Sequence, residues 1–266
     1  MIIINRIRRL RVFFRREWVV TTTFVAVFAL LVGVCWWAWR EFRTSPPYVD
    51  FARYPVKGID ISRHNGMMNF DAILEDGYEF VFIKASEGRT HRDENFTLNY
   101  SKAVRAGLAV GAYHFFRFDV DGVAQAMNFC RVVGDRPLAL GAVIDVESHG
   151  NPEGVDPMVV TEQVSAMADY LSLKGFRVIL YTNKDGFYDY IYGRLGNYPL
   201  WICSFSQVPL PDEWTFWQFN HRGRVQGIKG DVDINVFAGS RQQWEEFIDR
   251  EEPLLDPKLK NEVRKI

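Results

Sequence analysis

The chain is poor in sulfur, balanced in charge and free of repetition. Three cysteines in 266 residues are too few for a disulfide framework. Cys35 lies in a long apolar run, while Cys130 and Cys203 sit inside shorter apolar segments; the latter pair are two buried free thiols or one Cys130–Cys203 bridge. No CxxC pair and no His/Cys cluster suggests a metal, and no cofactor is expected. A formal net charge of −1 gives no global field for a nucleic-acid partner. There is no low-complexity segment. At 48% hydrophobic and 15% aromatic, the composition excludes a disordered chain and supports a sizeable core.

What is present begins with an asymmetry. The first seventeen residues, MIIINRIRRLRVFFRRE, hold six arginines and one acid. Residues 18–39 then run for 22 positions without a charge, and about 20 apolar residues span a bilayer. Trp18 opens the run and Trp36, Trp37 and Trp39 close it, as interfacial aromatics do. A signal peptide is the rival reading, but its apolar core is usually about 7–15 residues and leads to a small-x-small cleavage site. Length and tryptophans favour an uncleaved anchor. Arg6, Arg8, Arg9, Arg11, Arg15 and Arg16 outweigh Arg40 and Arg43, which Glu41 offsets. The positive-inside rule then leaves residues 1–17 in the cytoplasm and sends the rest across the cell (inner) membrane. Residues 40–55 include three prolines and read as a tether.

From Val56 the pattern alternates. VKGIDIS, YEFVFIKAS, LAVGAYHFF, LALGAVIDVE and FRVILYTN read as strands; the stretches between them, most closed by a glycine, read as helices. PLWICSF, WTFWQFN and DVDINVFAG follow without helices of normal length between them. Five β-then-α units and three strands make eight strands in about 185 residues. Alternation of this kind implies a parallel sheet, and eight strands suit a closed barrel. A regular eight-unit barrel needs about 250 residues, so the last part is expected to be irregular. Residues 249–266 read as a polar tail.

Barrel chemistry gathers where strands end. The strands end on Asp60-Ile61-Ser62, on Lys84-Ala85-Ser86-Glu87, on Tyr113-His114, on Asp145-Val146-Glu147 and on Tyr181-Thr182-Asn183. The late segments add Trp201, Trp217, Gln218, Asp231 and Asp233. Each has a bland alternative. Asp60 could cap a turn, as could Asp231 and Asp233, and Lys84 with Glu87 could be a surface pair. His114 is more naturally a core histidine, and the aromatics would normally be packing. The sharpest signal is AVIDVES, residues 142–148, in which Asp145 and Glu147 leave an apolar strand on one face. Positions i and i+2 lie roughly 6.5–7 Å apart, where two anions raise each other's pKa. A carboxylate-rich cleft with aromatic walls suits glycosidic cleavage, in which one acid protonates the leaving oxygen and another serves as base, nucleophile or charge stabiliser.

GIDISRHNG (58–66), FVFIKASEG (80–88), DENFTLN (93–99), GAYHFF (111–116), VIDVE (143–147), FWQF (216–219) and VDINVF (232–237) occur in one order. Together they resemble the glycoside hydrolase family 25 lysozymes, the Chalaropsis-type muramidases, over about residues 56–248. The resemblance implies an irregular TIM-like (β/α)5(β)3 barrel that cleaves the β-1,4 bond between N-acetylmuramic acid and N-acetylglucosamine in peptidoglycan glycan strands. It implies Glu147 as general acid, Asp145 as its acidic partner, and Asp60 and Asp233 as two further aspartates at the scissile bond. Lys84, Glu87, Tyr113, Tyr181 and Trp217 fall at positions resembling the sugar-binding wall. Asn65 stands where the family commonly has Gln, and WICSF replaces the usual Trp-x-Ala-x-Tyr. Two other classes compete: a silent peptidoglycan-binding module using the same cleft, and an amidase or deacetylase, for which the His/Asp/Glu metal set is missing.

Overall fold

The computed structural model describes residues 2–44, 46–196, 198–209 and 214–249, in two compact units that meet in the sequence at Pro46. Of the expected tail, all but Asp249 lies outside the described residues. The first unit is one helix, α1 (Ile2–Thr44), roughly 65 Å long at 1.5 Å per residue. Within it Trp18–Trp39 has a mean hydropathy of 2.3 and no buried side chain. By length and composition it is the one helix among the described residues that could cross a membrane.

The second unit carries nine strands: β1 (Lys57–Ile61), β2 (Tyr78–Glu87), β3 (His91–Arg92), β4 (Ala109–Phe115), β5 (Gly141–Asp145), β6 (Val178–Asn183), β7 (Leu200–Cys203), β8 (Phe216–Gly223) and β9 (Val232–Phe237). Between and after them come α2 (Phe70–Glu75), α3 (Phe96–Ala106), α4 (Gly122–Val133), α5 (Pro157–Leu173), α6 (Lys184–Gly186) with a π-helical turn over Phe187–Ile191, and α7 (Arg241–Asp249). All strands but β3 close into a ring in chain order, because β1 pairs with both β2 and β9. Neighbours are parallel until β9, which runs antiparallel to β8 and to β1. This is the expected (β/α)5(β)3 barrel; β3, a two-residue hairpin partner of β2, and α7 lie beyond the elements anticipated from sequence.

Local chemistry sets the helix ends. Asn69, Asp121 and Asp156 each cap the helix that follows them by accepting backbone N–H groups, and Pro157 begins α5 at a position that needs no N–H. Gly107 ends α3 at φ 93°, where a side chain would be strained.

The period of two along each strand divides the apolar residues into two cores. Phe80, Phe82, Val143, Ile179, Tyr181, Trp201, Phe216 and Phe237 form the barrel interior, with Trp244 of α7 packed on Phe80 and Phe237. The rings fit because their neighbours are small. A Cβ on Gly58 would sit 2.2 Å from the Phe80 ring, and one on Gly111 2.5 Å from the Phe82 ring. The other core lies outside the barrel, between sheet and helices, and holds Ile59, Val81, Ile83, Ile144 and Leu180 against Phe96, Phe129, Val164 and Leu171.

Among the described residues no helix stands between β7 and β8 to cover the outer face of β8. Residues expected to form a tether cover it instead. Tyr54 packs on Trp214 with ring centroids 5.2 Å apart, Trp214 on Trp217 at 5.6 Å, and Phe51 on Phe219 at 6.1 Å. Val49 and Tyr54 are buried in the outer core, so the segment is docked from Val49 onward. Its start, residues 40–44, continues α1.

Candidate active site

The ends of the parallel strands surround a cleft of about 620 Å³ lined by Asp60, Asp145, Glu147, Asp233, Tyr113 and Tyr181, with His149, Asn183, Trp201, Cys203, Phe205, Gln218 and His221. All four expected acids meet there. Asp60 and Asp233 are direct cross-strand partners on β1 and β9, an arrangement of like charges that works against sheet stability. Asp145 is the last residue of β5, and Glu147 stands two residues beyond it.

A buried hydrogen-bond chain fixes the floor. Asp60 Oδ2 accepts from Gln218 Nε2 at 2.8 Å and from Asn235 Nδ2 at 2.9 Å. The Tyr181 hydroxyl donates to Gln218 Oε1 at 2.8 Å, and the Trp201 indole N–H to Asn235 Oδ1 at 2.8 Å. Indole can only donate, so the Asn235 amide has one orientation, with its NH₂ toward Asp60. Tyr181 and Trp201 are thus held rigidly, and Trp201 is also stacked on Phe82 at 4.3 Å. By contrast Asp145 Oδ1 is buried with no hydrogen-bond partner.

Burial is the first cause of every carboxyl shift in the cleft. It pushes Asp60 up to about 6 against the two amide donors. It pushes Asp233 up to about 8, helped by the charges of Asp60 and Glu147. Asp145 is held well above the ordinary carboxyl range by burial and then by Glu147, with Lys84 opposing. Glu147 is raised by burial and by Asp60, with His149 and Lys84 opposing. Two facing carboxyls, each raised, retain a proton between them where isolated acids would be ionised.

Three of the nine expected site residues do not line the cleft. Trp217 is fully buried on the outer face of β8, against Trp214 and Phe219, its ring N–H donating to the Ser204 carbonyl at 2.9 Å. Its neighbours Phe216 and Gln218 point inward, so alternation turns Trp217 outward and it is no sugar wall. Lys84 and Glu87 close on each other at 2.9 Å, with the ammonium 5.0 Å from the Phe115 ring centroid. Their shared side follows from a register shift between Lys84 and Ser86; Lys84 acts on the acids through its charge. Asp231 is a surface partner of Arg224 at 2.9 Å. His114 is a core histidine, bonded to Ser86 and Gln125 and pushed by burial down to about 4. Cys130 and Cys203 are unpaired.

Sequence reasoning gave no role to His149, Cys203, Phe205 or His221. His221 lies past a register shift in β8 between Gln218 and Asn220, which brings it to the cleft against strict alternation, and it packs on Phe205 at 4.4 Å. A second cavity of about 510 Å³, at the opposite end of the strands, is lined by Tyr100, Leu108, Leu138 and Phe176 with Arg136 and Arg177. It holds no acid.

The sequence matches the family described as glycosyl hydrolases family 25 over residues 59–228. It is 34% identical over 204 residues to lysozyme M1 of Streptomyces globisporus, covering 70% of this chain and 68% of that one. To the Escherichia coli (strain K12) protein YegX it is 33% identical over 207 residues, covering 74% and 75%. Among solved structures, a family 25 glycosyl hydrolase from Bacillus anthracis aligns with a TM-score of 0.69 at 34% identity, over 76% of this chain and 96% of that one.

The raised Asp233 has a consequence for stability. Between the unfolded value near 3.8 and the folded value of about 8, the folded state holds the extra proton, so stability falls as pH rises through that window. Asp233→Asn removes this loss. Thermal melts at pH 4 and pH 8 should show the variant gaining on the wild type at pH 8 and not at pH 4; equal differences at both would show that Asp233 is not raised.

Proposed function

Because the chain belongs to glycosyl hydrolases family 25 and is therefore a glycoside hydrolase, we propose that it is a membrane-anchored muramidase that hydrolyses the β-1,4 bond between N-acetylmuramic acid and N-acetylglucosamine in peptidoglycan. The observation that carries the reading is the convergence of Asp60, Asp145, Glu147 and Asp233 on one aromatic-floored cleft. Glu147 is the general acid. It is the more accessible of Asp145 and Glu147, since Asp145 is only 6% exposed, and burial with the Asp60 charge raises its pKa above the ordinary glutamate range. Its proton passes to the glycosidic oxygen as that bond breaks. Asp145 presents a buried oxygen without a donor. An N–H group of the substrate's 2-acetamido substituent would satisfy that oxygen and orient the sugar, and the Asp60 charge would stabilise the positive ring. Asp60 is already committed to Gln218 and Asn235, so its part is electrostatic. Asp233, beside it, is raised to about 8 and keeps its proton to higher pH, so its carboxyl can donate a hydrogen bond. Tyr113 and Tyr181 supply apolar wall to the sugar rings.

The anchor is Trp18–Trp39. The six arginines before it support an N-terminus in the cytoplasm and a barrel outside, on the side where peptidoglycan lies. A reporter active only outside the cytoplasm, fused after Ile266, should work, and a cytoplasmic reporter at the same place should not. The reverse pattern would refute the orientation.

Glu147→Gln keeps the shape and removes the proton. Reducing ends released from purified sacculi should fall by at least about 100-fold, the low end of general-acid assistance, with the protein still folded. Asp145→Asn should also lose activity. A silent binding module predicts no release by the wild type at any pH and unchanged sacculus pull-down by both variants.

A further inference from the structure

Glu147 lies beyond the sheet ladder, since β5 ends at Asp145. Val146 is still held by β6: its N–H donates to the Tyr181 carbonyl at 2.8 Å, and its carbonyl accepts from Thr182 Oγ1 at 2.6 Å. From Glu147 onward the turn has a backbone bond of its own, from the Asn151 N–H to the Ser148 carbonyl at 3.1 Å, and side chains tie it to the rest of the barrel. Asn151 Nδ2 donates to the Glu147 carbonyl and to the Phe116 carbonyl, each at 2.9 Å, while Asn151 Oδ1 accepts from the Phe118 N–H at 2.9 Å. Both amide hydrogens face carbonyls and the amide oxygen faces an N–H, so the group has one orientation and three backbone partners. Phe116 and Phe118 directly follow β4, whose last pairing is Phe115 with Asp145. The Arg117 guanidinium, between them, reaches the Gly150 carbonyl. On the other side Ser148 Oγ meets the Tyr190 hydroxyl at 3.0 Å, and the Tyr190 carbonyl is fixed by Thr161 Oγ1 at 2.9 Å.

We propose that Asn151 is a positioning residue for the general acid: it ties the turn carrying Glu147 to the end of β4 and so sets where the Glu147 carboxyl stands in the cleft. Tyr190, through Ser148, is the second pin of the same turn. The inference rests on Glu147 being the acid. A side chain on a turn can drift where one on a strand cannot. Misplacement by about 1 Å can cost about 100-fold in rate, whereas the hydrogen-bonded floor of the cleft is built on β1, β6, β7, β8 and β9, which Asn151 does not touch.

The test is steady-state hydrolysis of sacculi by the full chain. Asn151→Ala should lower kcat about 10–100-fold and leave KM within about twofold. Combined with Glu147→Gln, it should add little further loss to the residual rate, because residues acting through one group are not additive. Unchanged kcat in folded Asn151→Ala would overturn the proposal, as would a full additional loss in the Glu147→Gln background. Should Asn151→Ala not fold, Tyr190→Phe removes only the hydroxyl contact and must still lower kcat at constant KM; an unaltered kcat there overturns the proposal too. Failure of the acid assignment is separately visible, as wild-type turnover by Glu147→Gln alone.

Discussion

The carboxylate of Asp60, taken out of water and met by the amides of Gln218 and Asn235, organises the mouth of this barrel. Two donors at 2.8 and 2.9 Å reduce the desolvation of one acid without removing it, which is why its pKa stands at about 6 and not lower. The same amides reach outward to Tyr181 and Trp201. One buried anion therefore fixes the orientation of two amides, the position of two aromatic rings and the floor on which a substrate would lie. Strands β1, β6, β7, β8 and β9 all contribute to that set, so it also staples the late, helix-poor part of the barrel to its start.

Stability alone does not explain such a floor. Asp60 faces Asp233 across a strand pair, and Asp145 retains an oxygen with no partner. Lys84, the cation that acts on Asp145 and Glu147, is itself engaged by Glu87. The barrel below carries the expense: Phe80, Phe82, Phe216 and Phe237 interlock around Gly58 and Gly111, with Trp244 beneath. A dry, closely packed lower barrel keeps the strand ends still, and it is burial that raises the acids above. Structure and chemistry are divided along the strand axis, apolar layers first and charged layer last.

Most of this was legible in the sequence because nearly every strand changes from apolar to polar at its end. Asp60, Asp145, Glu147 and the two tyrosines follow from that gradient, while Asp233, near the start of the antiparallel β9, was singled out by the family resemblance. Trp217 was misassigned because FWQF places two aromatics and an amide in succession, and only sheet register decides which face inward: Phe216 and Gln218 do. The bulges in β2 and β8 break simple alternation, which is why Glu87 shares a side with Lys84 and why His221 went unnoticed. His149 sits on the turn after Glu147, where no periodicity applies. The docking of residues 49–54 was not legible for a different reason. Neighbouring prolines and polar residues conceal Val49 and Tyr54, which are buried in the outer core beside β8.

The central claim is that the cleft raises the pKa of Glu147 above that of a free glutamate. A carboxyl-carbon NMR titration of the full chain tests it most directly, with resonances assigned from Glu147→Gln, Asp145→Asn, Asp60→Asn and Asp233→Asn. The account predicts that Glu147 titrates above the ordinary glutamate value of about 4.3, alongside Asp60 near 6 and Asp233 near 8. A Glu147 midpoint at or below the ordinary value would contradict the account.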